Sequence, residues 1–308
     1  MKNNNEILVF DTDPGLDDAT ALLLLSRLDR YPDYVVATYG NAPVETTYRN
    51  AVVLTRFLGE KAYVAAGASE ALTGAKRTFD DFHGIDGMAG IAEELTERTG
   101  ASDVLRRPAH TLTDLAEELK KQENITYIAV GPLTTLAILL RDGEIRKKIS
   151  RVLVMGGGIR QFNRAHDAEY NFAADPIAVG EVLNSGVDLT IFPLDLTNED
   201  ASLTDAQIDG LEAIGTLPEY IRMFRHNLIS NGKYNHLPLA VLHDTMPALY
   251  AGQPEPFCVV PMKLRSDEWG HIGEAEDGKP AKVVLSCQKE LLPGLLKAVF
   301  EAEKKKMT

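Results

Sequence analysis

The stretch Ile7–Leu25, ILVFDTDPGLDDATALLLL, joins a strand to a helix through a cluster of acids. Four apolar, strand-forming residues, Ile7-Leu8-Val9-Phe10, stop abruptly on Asp11. Pro14-Gly15 then forces a turn, and the Ala/Leu-rich run from Ala19 reads as a buried helix. Asp11, Asp13, Asp17 and Asp18 therefore crowd the passage from a strand's carboxyl end to a helix's amino end. A helix start favours one or two acids, because its free N–H groups and dipole attract negative charge. Four acids against an apolar strand repel and raise one another's pKa unless a cation or protons neutralise them. A hard divalent metal with oxygen ligands answers that repulsion. The blander reading has Asp17 capping the helix while Asp11 and Asp13 are merely solvated.

Beyond this stretch, strand-like runs recur at 35–39, 62–65, 126–130, 151–155 and 189–192. Helical patterns at 44–58, 112–122, 133–141 and 176–184 lie between most of them. Such alternation, with largely apolar strands, predicts an α/β fold: an open, mainly parallel, Rossmann-like sheet with helices on both faces. A sheet of this kind binds ligands beyond the carboxyl ends of its strands. The unusual polar residues do follow the strands: Asp11 and Asp13 the first, Asn41 the second, Gly131-Pro132-Leu133-Thr134 the fourth, Gly156-Gly157-Gly158 the fifth. The polar, mostly helical segment 197–237 reads as a cap beside the site. With no linker or repeat, residues 1–308 read as a single domain.

The 308 residues suffice for a sizeable core, and 44% apolar with 25% charged residues is ordinary for a globular protein. A net charge of −13 argues against nucleic acid as partner, since phosphate binding needs a basic footprint. No run approaches the ~20 apolar residues of a membrane span, and the start MKNNNEILVF lacks the pattern of a secretory signal. Cys258 and Cys287 have no metal or redox spacing, and nothing in the sequence supports a disulfide between them. The chain reads as cytoplasmic.

The pattern D-x-D-P-G-x-D-D over 11–18 resembles the amino-terminal signature of the inosine–uridine-type nucleoside hydrolases. Later stretches extend the resemblance, in the family's order, across nearly the whole chain. Thr38-Tyr39-Gly40-Asn41 is similar to its T-x-G-N, and His83-Gly84-Ile85-Asp86-Gly87 to its H-G-x-D-G loop. Val130-Gly131-Pro132-Leu133-Thr134 matches V-G-P-L-T, with Thr135 in place of the usual Asn. Met155-Gly156-Gly157-Gly158, then Ala168-Glu169-Tyr170-Asn171 with Asp175-Pro176, and finally His243-Asp244 complete the series. Two departures stand out. Around Asn163 the family's G-N-x-T-P is Phe162-Asn163-Arg164-Ala165-His166, and Thr245 replaces a Pro that often follows H-D.

The resemblance implies hydrolysis of the N-glycosidic bond of ribonucleosides to free base and ribose, by a calcium-bound water with an Asp base. Its metal ligands carry over to Asp13, Asp18, the backbone carbonyl of Thr134, and Asp244, an oxygen set suited to Ca2+. Asp13 takes the general-base role. Asp17, Asp18, Asn41, Asn163, Glu169, Asn171 and Asp244 fall around the sugar, where they stabilise the positive charge of an oxocarbenium-like transition state. His243 stands where pyrimidine-preferring and broad-specificity members keep His to assist the leaving base, with His83 and Tyr234 lining the same pocket. Purine-specific members place Trp at that point, and the single Trp here, Trp269, lies well downstream. The resemblance also implies a homodimer or homotetramer, with a ribonucleoside as the partner and neither nucleic acid nor membrane. Two other readings remain open: a haloacid-dehalogenase-type phosphotransferase, which also carries D-x-D after its first strand, and a catalytically silent nucleoside-binding protein.

Overall fold

The computed structural model describes residues 6–74, 79, 81–103 and 109–307. Met1–Asn5, part of the start read for a signal, lie outside the described residues. The central sheet contains β1 (Ile7–Thr12), β2 (Tyr34–Ala37), β3 (Tyr63–Ala66), β4 (Ile125–Ala129), β5 (Ile149–Met155) and β6 (Leu189–Phe192). A small antiparallel pair, β7 (Ser202–Leu203) with β8 (Ala240–Val241), stands apart from it. The chain then returns to the sheet with β9 (Phe257–Ser266), β10 (Ile272–Glu274) and β11 (Lys279–Cys287). The order across the sheet is β10-β9-β11-β6-β5-β4-β1-β2-β3. Every neighbouring pair from β11 to β3 is parallel, while β9 runs antiparallel to β11 and β10 to β9.

Successive side chains of a strand point to opposite faces, and the sheet buries both. Leu8 and Phe10 of β1 enter one apolar core while Val9 enters the other. Leu153 and Met155 of β5 divide from Val152 and Val154 in the same way. The helices Leu16–Arg27, Thr245–Gly252 and Leu291–Met307 cover the first face, and Thr134–Arg141 and Pro176–Asn184 the second. The mainly parallel sheet with helices on both faces is thus as the sequence predicts, and the segment read as a helical cap folds as Leu194–Asp200, Asp205–Glu212 and Pro218–Tyr234. The antiparallel extension is new. β9 and β11 lie towards one end of the sheet and are half-exposed, so they lack the continuous apolar run that marks a buried central strand. Cys258 and Cys287 lie on these two strands and both are free thiols.

Candidate functional site

Residues from separate segments converge beyond the carboxyl ends of β1, β2, β4 and β5, around a cavity of about 680 Å³. Its wall includes Asp13, Asp17, Asn41, His83, Asn163, Glu169, Asn171, His243 and Asp244.

The acid loop is built by its own turn. Gly15 starts the helix Leu16–Arg27, and its N–H donates to Asp18 Oδ2 at 2.8 Å. Thr12 donates to the other oxygen of Asp18, so that carboxylate is held at both ends. Asn41 reaches across from the end of β2: its N–H donates to Asp13 Oδ2 at 2.7 Å and its side-chain amide to the Asp13 carbonyl at 3.1 Å. Two glycines make room for Asp13. A Cβ on Gly131 would meet Asp13 Oδ1 at 2.6 Å, and one on Gly40 would collide with Oδ2. The crowding of charge here is severe: Asp17, Asp18 and Asp244 bring carboxylate oxygens within 4.8 Å of one another, all three buried.

Burial and mutual repulsion set the acidities. Burial, then Asp18, pushes Asp17 up to about 8, and burial raises Asp18. Burial raises Asp244 well above the usual range, with repulsion from Asp17, Asp18 and Asp13 adding to it. Asp17 Oδ1 is buried with no hydrogen-bond partner among the described residues. Such a group is costly unless something binds it. An all-oxygen, over-charged and under-satisfied cluster suits a hard divalent cation. Asp11 is different. It lies behind the cavity wall, accepts from Tyr127 at 2.8 Å, and is pushed up to about 8 by burial alone.

Thr134 is not brought to the cavity. It opens the helix Thr134–Arg141, which directs its carbonyl along the helix, and its hydroxyl donates to Asp175 at 2.7 Å. The backbone group that this turn does present is Val130, a cavity residue whose carbonyl accepts from Asn171 Nδ2 at 2.8 Å. Of the two residues, Val130 lines the cavity and Thr134 does not. Motif matching alone could not separate two residues of the same V-G-P-L-T turn.

Elsewhere on the cavity wall, Glu169 caps the helix Tyr170–Ala174 and accepts N–H groups of Gly157, Asn171 and Phe172 at 3.0, 2.9 and 3.2 Å. Burial raises its pKa against those three bonds. Asn163 is on the wall despite its divergent surroundings, and its Oδ1 is buried without a partner among the described residues. Its loop is closed by rings: His166 stacks on Trp269 at 4.1 Å, and Phe162 meets His271 edge-on at 5.6 Å. Trp269 thus braces a loop from outside the cavity, at the turn between β9 and β10.

Two imidazoles also line the cavity. His83 Nδ1 accepts the Leu16 N–H at 3.2 Å, and burial lowers its pKa to about 3. His243 Nδ1 lies 2.7 Å from the Thr197 hydroxyl, and burial lowers it to about 4. Asn227, from the helix Pro218–Tyr234, clamps both backbone groups of Val241 at 2.9 Å and so fixes the approach to His243. Phe79, Phe82 and Tyr234 line the remaining wall, and Tyr234 donates to Asp81. Val130, Thr197 and Asn227 escaped the sequence reading because a Val, a helical Thr and a helical Asn carry no local signal of a site.

The comparisons with known proteins agree with this geometry. The model of the inosine-uridine preferring nucleoside hydrolase family matches residues 8–298. The chain belongs to that family. A non-specific ribonucleoside hydrolase, RihC, from Escherichia fergusonii is 32% identical over 299 residues, covering 91% of this chain and 93% of that protein. Its counterpart in Escherichia coli strain SMS-3-5 is 34% identical over 272 residues, covering 86% and 85%. Among solved structures, the plant nucleoside hydrolase PpNRh1 superposes with a TM-score of 0.86 at 23% identity, over 97% of this chain and all of the other. A purine-preferring ribonucleoside hydrolase from Gardnerella vaginalis gives 0.81 at 22%, covering 98% and 100%. Members of the family are hydrolases of the N-glycosidic bond of ribonucleosides, and the phosphotransferase reading is set aside.

Proposed function

We propose that the chain hydrolyses ribonucleosides, with broad or pyrimidine-directed preference, and that its acid cluster holds Ca2+. The observation that carries this reading is one cavity lined by both buried carboxylates and two neutral imidazoles. Asp13, Asp18, Asp244 and the Val130 carbonyl would hold the ion, and the space that Gly40 and Gly131 leave for Asp13 fits that role. When bound, calcium supplies a more acidic water and an anchor for the ribose diol.

The protein's own groups do the rest. Asp13, oriented by Asn41, takes the proton of the attacking water. Asp17, Asn163 and Asn171 receive sugar hydroxyls, the first two through oxygens that have no partner among the described residues. Glu169 adds a fixed negative charge as the ribose becomes cationic. His83 and His243 face the leaving base. Trp269 lies off the cavity, which favours the His-bearing type over the purine-specific one.

The test is release of reducing sugar from uridine, cytidine, inosine, adenosine and guanosine, before and after chelation and calcium readdition. Turnover lost and regained supports the reading; a metal-loaded protein that cleaves none of the five overturns it. We further read residues 1–308 as one domain, working in the cytoplasm as a homodimer or homotetramer. Its free thiols support a reducing compartment. Ile85 and Ile229, exposed close to the cavity-lining segments, support association. No helix of the described residues is long and apolar enough to cross a membrane. Light scattering on the purified chain checks the oligomer, and a monomer at micromolar concentration overturns it.

A further inference from the structure

Thr197 sits wholly buried in the helix Leu194–Asp200, behind the imidazole that faces the leaving base. Its backbone N–H is used within the chain, on the Pro193 carbonyl at 3.1 Å. Among the described residues its hydroxyl has one hydrogen-bond partner, His243 Nδ1 at 2.7 Å. A buried hydroxyl proton without an acceptor is costly, and the ring nitrogen is the acceptor within reach. An imidazole that accepts at Nδ1 carries its own proton on Nε2.

We propose that Thr197 is a positioning residue that fixes His243 as an Nε2–H donor toward the departing base. The proposal rests on the nucleoside hydrolase reading above. A carboxylate in place of Thr197 would accept from Nδ1–H and leave Nε2 as a bare acceptor, the arrangement that makes a His a base. A hydroxyl with no other outlet for its proton does the reverse. His83 reaches the same tautomer by a separate route, because a backbone N–H, here that of Leu16, can only donate. The cavity wall therefore offers the base two N–H donors. They suit a leaving group that gains electron density on a carbonyl oxygen or ring nitrogen as the glycosidic bond lengthens.

Two measurements test this. Two-bond 1H–15N spectra of the wild-type protein, with the His243 signals assigned by their loss in His243→Gln, read which ring nitrogen is protonated. Nε2–H is expected, and Nδ1–H overturns the proposal. Thr197→Val, nearly isosteric, should lower kcat/KM for uridine and inosine by roughly 10–100-fold, the usual cost of losing an imidazole's orienting partner. It should lower that for p-nitrophenyl riboside far less, because that leaving group departs without a donor. Thr197→Ser should restore most of the loss. Equal losses on both kinds of substrate, or none, overturn the assignment. A wild-type protein that cleaves neither kind overturns the hydrolase reading instead.

Discussion

The two loops that meet at the ribose end of the cavity are built on opposite plans. The acid loop Asp11–Asp18 is held by hydrogen bonds to its buried polar groups: Thr12 and Gly15 donate to Asp18, Asn41 to Asp13, and Tyr127 to Asp11. The loop around Asn163 is held by ring contacts, from Trp269 and His271 more than a hundred residues downstream. Its tip adopts left-handed backbone at His166 and Asp167, and the bridge Arg164–Ala168 closes it on itself. The first plan tolerates little change because function and turn share the same atoms. The second allows the sequence to drift so long as the brace drifts with it.

If the acid loop carries the chemistry, its loss should be the largest effect. Asp13→Asn keeps the shape and the Asn41 contact but removes the base, and kcat should fall by roughly 10²–10⁴ with calcium still bound. Isothermal titration with calcium alongside steady-state rates would separate the two quantities, and a near-normal kcat would dismiss Asp13 as base. Gly131→Ala comes next. The added methyl would press on Asp13 Oδ1, at 2.6 Å from the ideal Cβ, so a fall of about 10²-fold in kcat is expected without loss of fold. Far-ultraviolet circular dichroism checks the fold, and an active variant would show that Asp13 need not lie over that glycine.

Charge in the acid loop should also be legible in stability. Asp11 and Asp17 are each pushed up to about 8, and Asp18 and Asp244 are raised as well. A raised carboxyl contributes stability that is complete below the unfolded value of about 3.9 and is lost as pH climbs through the folded value. His83 and His243, lowered to about 3 and about 4, act in the opposite sense: their contribution is present above about 6.5 and is lost as pH falls. Between about pH 6.5 and 8 the carboxyls act alone. The metal-free protein should therefore lose Tm as pH rises through that window. Calcium at a hundred times its Kd should return about 2.7 kcal/mol, or roughly 5–10 °C at pH 8. A metal-free Tm that climbs from pH 6.5 to 8 would contradict the raised pKa values of these carboxyls.

The contrast between the loops also explains what could be read from the chain alone. Ile7–Phe10 and the later apolar runs announce a buried parallel sheet, since each must hide both faces. Asp13, Asp17 and Asp18 announce themselves by crowding, and His243-Asp244 by its place in the motif series. β9, β10 and β11 were silent because half-exposed strands lack a continuous apolar run, and their pairing with one another is antiparallel across a long return. Val130 was silent for another reason: a backbone carbonyl leaves no trace in the identity of its residue. Val130 lines the cavity and Thr134 does not, although both belong to one turn, and the start of the helix at Thr134 separates them.

The smallest effect is expected at the brace, and it bears on the second plan alone. Trp269 is half-exposed and stacked on His166 with the planes 14° apart, a contact worth roughly 0.5–1.5 kcal/mol. Trp269→Ala should therefore lower Tm by no more than about 2–6 °C, leaving the sheet and the acid loop in place. The loop that carries Asn163 and Arg164 onto the cavity wall would then pay an ordering cost on each binding event. KM should rise roughly 3–10-fold, which is about 0.65–1.4 kcal/mol of lost preorganisation, while kcat stays within about twofold. A fall in kcat with KM unchanged would mean that the brace reaches the reacting atoms, and that the two loops are one device.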